Sequence, residues 1–329
     1  MSNLPIHTEY LKKNPYLSPL VYPEAQCKDI SMSELLDIWL ESKKPRVKIS
    51  SLAHYRRVVD TILKPHFEGK TTASITRFDI RMLTDALLRR FSVAYTANII
   101  TITNQILEFM CDNEYTLKSP KANVKLPNQA KARPKVFTRS EQKILMNHLT
   151  NNMNLTNMGI IISLYTGLRI GELCGLQWRD VDLVSNVIRV NRTIQRISDG
   201  SGHTYFIAGT PKTVHSEREI PLPSFIVDMI KPFETETKTA YILSGTEIFV
   251  QPRTFENRYK KILRDSGVSK YNFHTLRHTF ATRAIELGFD PKSLSEILGH
   301  SNVKLTLDLY VHPSLEQKQK EMELLAAIF

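Results

Sequence analysis

Apolar positions recur at helical spacing along most of this chain, and strand-like runs interrupt them in one region only. Ser31-x-x-Glu34 forms a capping box ahead of Leu35, Leu36, Trp39 and Leu40, which share one face of a helix that ends by Pro45. A second helix opens near Ser50 or Ser51 and carries Leu52, Tyr55, Val59, Ile62 and Leu63 as far as Pro65. Thr76-x-x-Asp79 caps a third, with Ile80, Leu83 and Leu87 on its apolar face. A fourth runs from about Ser92 through Tyr95, Ile99, Ile102, Ile106 and Phe109. Four amphipathic helices without strands predict a small helical domain.

The pattern changes at Leu117. Six basic residues (Lys118, Lys121, Lys125, Lys131, Arg133, Lys135) and three prolines (Pro120, Pro127, Pro134) replace the apolar periodicity, which reads as a stiff cationic linker. In a DNA-clamping protein such a stretch crosses the backbone; in any other it is solvated. Thr138-x-x-Glu141 then caps a new helix. Residues 158–165 form a buried helix that leads into Thr166-Gly167-Leu168-Arg169-Ile170-Gly171-Glu172-Leu173. Residues 186–190 and 204–207 read as strands, and Arg218-x-Ile220-Pro221-Leu222 as the exit of another. From about Ser224 the pattern is mostly helical to Phe329. The expected fold is mainly α with a small antiparallel β-sheet in the second domain. Its parts are an extension (1–27), a four-helix domain (28–117), a basic linker (118–136) and a mixed α/β domain (137–329).

Composition narrows the function classes. The chain has 329 residues, 42% hydrophobic, enough for real cores. Its longest apolar run, around 158–165, is too short to span a bilayer, and residues 1–24 hold four prolines and no signal-peptide core. No membrane association is expected. Three irregularly spaced cysteines fit a reducing cytoplasm. The net charge of +11 divides into +5 for residues 1–130 (18 basic, 13 acidic) and +6 for residues 131–329 (26 basic, 20 acidic). An excess carried by both halves favours a polyanion that touches both, and duplex DNA qualifies. The basic run 43–48 is either a solvated turn or a phosphate contact.

The candidate chemistry lies between Asn272 and His312. His274 and Arg277 are three apart at the start of a helix and share a face. His300 follows Gly299, a helix stop, and Tyr310 comes ten residues later. Arginine, two imidazoles and a phenol suit a phosphodiester: the cations balance the phosphate and the phenol attacks it. His274 and His278 stand at a metal-ligand spacing of i,i+4, but the HExxH glutamate and a CxxC pair are absent. No metal or cofactor is expected. There is also no GxxxxGK[ST] loop, and Gly200-x-Gly202 lacks the third glycine of a dinucleotide fingerprint.

His274-x-x-Arg277-His278, Leu298-Gly299-His300 and Tyr310 together resemble the tyrosine recombinase (phage integrase) family. The resemblance calls for an arginine in a Thr-Gly-Leu-Arg-x-x-Glu setting, which Arg169 meets with Glu172 following, and for a lysine in a β-hairpin turn, which Lys212 in Pro211-Lys212-Thr213 meets. The motifs cover about residues 136–312, and the four-helix region resembles the family's core-binding domain by architecture.

The resemblance implies a site-specific DNA recombinase, an integrase for integration or excision of a phage or mobile element. In that reading Tyr310 attacks the scissile phosphate and leaves a 3′-phosphotyrosyl link and a free 5′-hydroxyl. Arg169 and Arg277 bond the non-bridging oxygens, Lys212 protonates the leaving oxygen, His274 assists proton transfer with Tyr310, and His300 donates to the phosphate. Rejoining needs neither ATP nor a metal, because the covalent link preserves the phosphodiester energy. The implied assembly is a homotetramer on two specific double-stranded DNA sites, each clamped by both domains, with accessory DNA-bending or directionality proteins, in the cytoplasm at the nucleoid. The apolar stripe Leu315, Met322, Leu325 and Phe329 has to be buried, either against its own domain or, as the resemblance implies, by docking of the C-terminal tail on a neighbouring subunit. A type IB topoisomerase shares the phosphotyrosyl chemistry, and a non-cutting regulator shares the fold. The Thr-Gly-Leu-Arg-x-x-Glu and Leu-Gly-His-Ser motifs favour the recombinase, and a binder has no use for Tyr310. Many integrases of the family carry a separate N-terminal arm-binding domain, and about 30 residues precede the first core-binding helix here: either arm sites are lacking, as in simpler recombinases, or the N-terminus binds them unusually.

Overall fold

The computed structural model describes residues 27–128, 134–198, 203–209 and 217–311, together with Gln319, Met322 and Glu323. The chain divides into two compact units, 1–130 and 131–329.

The first unit contains α1 (Met32–Lys43), α2 (Ile49–Val58), α3 (Arg77–Arg90) and α4 (Val93–Asp112). The caps lie where the sequence puts them: Ser31 Oγ accepts from the amide of Glu34, and Thr76 and Asp79 form a reciprocal box. Pro65 does not stop α2. The helix passes through a π-helical turn (Val59–Leu63) before a last α turn (Lys64–His66), and the widened turn accommodates the ring that an α-helix would exclude. Leu35, Leu36, Trp39, Val59, Ile80 and Ile99 are among the residues of a core of their own. Part of the expected linker belongs to this unit. Ala122 is buried in its core, Val124 packs against it, and Lys121 is ion-paired with Glu108.

The second unit opens on α5 (Arg139–Asn151) and the buried α6 (Leu155–Thr166), followed by the short α7 (Ile170–Gly175). Then come β1 (Val181–Asp182), β2 (Val187–Val190), β3 (Thr193–Ser198), β4 (Thr204–Gly209) and β5 (Arg218–Pro221). Helices α8 (Ser224–Ile230), α9 (Pro252–Asp265), α10 (His274–Glu286), α11 (Pro291–Leu298) and α12 (Val303–Tyr310) complete it. The expected single sheet is two antiparallel ones, β1-β2-β5 and the hairpin β3-β4. Strand β3 escapes the sequence pattern because its two buried residues, Ile194 and Ile197, are three apart and do not alternate.

The main core gathers α5–α9 and the first sheet around Phe137, Ile160, Leu173, Trp178, Ile188 and Phe255. A smaller cluster joins α10, α11 and α12 through Ala281, Ala284, Leu294, Leu298 and Tyr310. The chain entering this unit is fastened to α10: the amide of Phe137 donates to Thr279 Oγ1 (3.0 Å), and Arg283 Nη2 donates to the Phe137 carbonyl (2.7 Å). Among the described residues, no helix is long and apolar enough to cross a membrane.

Candidate active site

Two helix ends build the site. Helix α6 stops at Gly167 (φ 66°) and α11 at Gly299 (φ 65°), both in the left-handed conformation that favours glycine. A Cβ on Gly167 would lie 2.7 Å from Leu298 and 2.8 Å from Phe280, so the two ends meet too closely for any side chain there. Their carbonyls face Arg277 on α10. Its Nη1 donates to Gly167 O (2.9 Å) and its Nη2 to Leu298 O (2.7 Å), at 1% exposure. The negative ends of two helix dipoles thus hold this guanidinium. Burial, and then the like charge of Arg169, lowers its pKa to about 9, which leaves it charged at neutral pH.

Arg169 sits at the N-cap of α7, one residue past the Gly167–Leu168 turn, and Glu172 in the first turn accepts from its amide (3.0 Å) and from its Nη1 (2.8 Å). Arg169 Nη2 reaches the Gly299 carbonyl at 3.3 Å. The sequence marks Glu172 as the support of Arg169; a second partner of Glu172 is not legible there. Arg218 of β5 donates from Nη2 to Glu172 Oε2 (2.9 Å) and from Nε to the Ile297 carbonyl. Burial raises the Glu172 carboxyl, but Arg218 and Arg169 outweigh it and hold the pKa below the ordinary value. Arg169 and Arg218 therefore share one carboxylate, and the nearby charge of Arg277 rests on main-chain carbonyls, which suits the site to an anion.

His300 follows Gly299, and its Nδ1 is 2.8 Å from Thr306 Oγ1 of α12, which fixes the ring. Burial, then Arg277, Arg169 and Arg218, pushes this imidazole down to about 3, so it is neutral until an anion arrives. His274, at the exposed start of α10, is lowered too, by desolvation and then by His278, Arg277 and Arg169. Tyr310 is the last residue of α12 and 7% exposed. Burial raises its phenol, against a downward pull from Arg277 and Arg169.

The phenol's hydrogen-bond partner among the described residues is not His274. It is His278, whose Nδ1 lies 2.7 Å from the hydroxyl, and the His274 ring meets the His278 ring edge to face at 4.6 Å. Five of the six expected residues (Arg169, His274, Arg277, His300 and Tyr310) thus come together from α7, α10, the α11–α12 turn and α12. The sixth, Lys212, lies outside the described residues. Beside His274 opens a cleft of about 470 Å³, lined among others by Ile194, Arg196, Phe206 and Arg253. Among the described residues, no group of three or more His, Cys, Asp or Glu is placed to hold a metal.

Comparison with known proteins matches this architecture. Residues 135–317 match the model of the phage integrase family, and residues 31–88 that of the phage integrase N-terminal SAM-like domain. A tyrosine recombinase XerC-like protein of Caldanaerobacter subterraneus subsp. tengcongensis is 27% identical, over 92% of this chain and 84% of its own. The fold is that of the Tn1549 transposon integrase in complex with a circular intermediate DNA, with a TM-score of 0.75 at 20% identity over 90% of this chain and 99% of that one. A lambda integrase tetramer bound to a Holliday junction shares it as well, at a TM-score of 0.64 and 16% identity over 93% and 86%. With more than half its length matched by one family model, and the catalytic motifs inside the matched span, this chain belongs to the phage integrase family of tyrosine-type site-specific recombinases, which cut and rejoin DNA.

Proposed function

We propose that Tyr310 attacks the scissile phosphate of a specific recombination site and forms a 3′-phosphotyrosyl link, so that strands are exchanged during integration or excision of a mobile element. The observation that carries this reading is the positive charge around the phenol: Arg277 and Arg169 both act on it, and among the described residues Arg277 is bonded to main-chain carbonyls and not to a carboxylate. Such a site is costly when empty and is relieved by a phosphodiester. Arg169, the more exposed guanidinium, bonds one non-bridging oxygen, and Arg277 stabilises the charge from beneath. Burial first, and then the like charges nearby, lower the pKa of His274 and His300, and a bound anion offsets the second of these, so both become better donors as it binds. Lys212 protonates the leaving 5′-oxygen.

Residues 28–117 serve as the core-binding domain and residues 137–329 as the catalytic one, on either side of the linker 118–136. Four copies assemble on two sites, with accessory DNA-bending or directionality proteins, in the cytoplasm at the nucleoid. Support for the tetramer comes from the lambda integrase assembly and from Met322, a member of the tail's apolar stripe, which is 65% exposed on its own subunit.

The test is a nicked duplex carrying the attachment sequence, which traps the covalent complex. The wild-type protein should yield a denaturant-stable adduct, and Tyr310→Phe should bind the duplex and yield none. An adduct mapped to another tyrosine sinks the proposal.

A further inference from the structure

The residue bonded to the nucleophile is one that the recombinase motif leaves without a role. We infer that His278 takes the proton of Tyr310 as its oxygen attacks phosphorus and returns it on rejoining. This rests on Tyr310 being the nucleophile. The 2.7 Å separation between His278 Nδ1 and the phenol is that of a good hydrogen bond. A phenol that donates there needs Nδ1 unprotonated, with the hydrogen on Nε2. The surroundings keep the ring neutral and able to accept: burial and the adjacent Arg277 both lower its pKa.

The other two histidines are engaged differently. His300 Nδ1 is held by Thr306, and His274 packs its ring on His278, which is the residue bonded to the phenol. In helical terms His274 and His278 stand one turn apart, which puts His278 under Tyr310 and His274 at the exposed rim. In the step, the Tyr310 O–H breaks and its proton passes to Nδ1 of His278. The Tyr310 oxygen–phosphorus bond forms, the bond from phosphorus to the 5′-oxygen breaks, and that oxygen leaves with its electron pair and takes a proton from Lys212. Nothing is oxidised or reduced.

Among the described residues, few other groups titrate near this pair. Its own helix supplies His274 and Arg277, and Arg169 acts on Tyr310 from α7. Tyr165 on α6 packs its ring on Phe225. Lys292 and Glu296 on α11 and Lys304 and Asp308 on α12 are exposed. A general base contributes roughly 10²–10⁴-fold.

The test uses the full chain and duplexes that the wild-type protein captures covalently from a random-sequence library, rebuilt with a nick beside the cleaved bond. His278→Asn keeps an acceptor near the Nδ1 position but cannot carry the proton, whereas His278→Phe keeps only the packing. Both should melt like the wild type and form adduct about 10²–10⁴-fold more slowly at neutral pH. Above the ordinary imidazole range, near 6.5, the wild-type rate should be flat. The rate of His278→Asn should climb with pH toward the tyrosine pKa of about 10, because solvent then removes the proton.

Replacing the bridging 5′-oxygen by sulfur, which leaves without a proton, should restore Lys212→Ala and not His278→Asn. Long-range ¹⁵N spectra of the free protein should place Nδ1 of His278 among unprotonated ring nitrogens. A His278→Asn protein with the wild-type rate and pH profile overturns the inference. So does full activity in His278→Asn alongside loss in His278→Phe, because an acceptor alone would then suffice. Tyr310→Phe is run in parallel: an adduct there defeats the nucleophile assignment and the role of His278 with it, whereas no adduct there beside an unimpaired His278→Asn overturns the role of His278 alone.

Discussion

Arg277 holds a full positive charge at 1% exposure, with main-chain carbonyls as its hydrogen-bond partners. The Gly167 and Leu298 carbonyls approach it on different nitrogens, a geometry that a planar fork satisfies and a single ammonium does not. Arg277→Ala should therefore slow adduct formation by about 10²–10³-fold, and Arg277→Lys should recover little of it. Single-turnover rates on the nicked duplex measure both, and a lysine variant within a few-fold of wild type would show that charge alone matters. Arg277 is legible in the sequence, because its immediate neighbours carry the motif. His278 is not: beside His274 its spacing reads first as a metal pair. Its contact with Tyr310, 32 residues away, exists only because α12 crosses α10, which no local period encodes. Arg218 hides in the same way. It reads as a strand exit, and its link to Glu172 spans 46 residues.

At the scale of elements, the Glu172 carboxylate ties three pieces together: α7 through Arg169, β5 through Arg218, and α11 through the Ile297 carbonyl that Arg218 also binds. Glu172 and Arg218 are buried, with side chains 4% and 6% exposed. Glu172→Ala should cost about 3–5 kcal/mol, the scale for breaking a buried ion pair by removing one partner, read from denaturant unfolding. The pH dependence has a definite sign. Because the folded Glu172 pKa is depressed, its contribution is present above the ordinary value near 4.5 and is lost as the pH falls through the lower folded value. Glu172→Gln should flatten that acid limb, and an unchanged limb would assign it to other carboxylates.

Helix starts are the most legible elements. Ser31, Thr76, Ser92 and Thr138 cap through their own hydroxyls, a purely local interaction. The π-helical turn Val59–Leu63 and strand β3 are illegible in the sequence. The widened turn precedes Pro65 and no local period marks it, and β3 is defined by its pairing with β4 and not by its own alternation.

Over the whole molecule, each unit has its own core, and the surplus of charge is divided almost evenly between them. The proposed docking of the tail on a neighbour, where the exposed Met322 would be covered, has a direct test. Deleting residues 315–329 should leave binding to a single site intact and remove the two-site complex. A gel-shift titration reads both, and a truncated protein that still pairs two sites at wild-type concentration would mean the tail is not the link. The fastening of Phe137 to α10 has a mechanical meaning. Its amide is held by Thr279 and its carbonyl by Arg283, so the chain that arrives from the connector is moored to the helix that carries His274, Arg277 and His278. A load on the chain entering this unit is therefore passed to α10 one residue from His278, whose ring holds the Tyr310 hydroxyl.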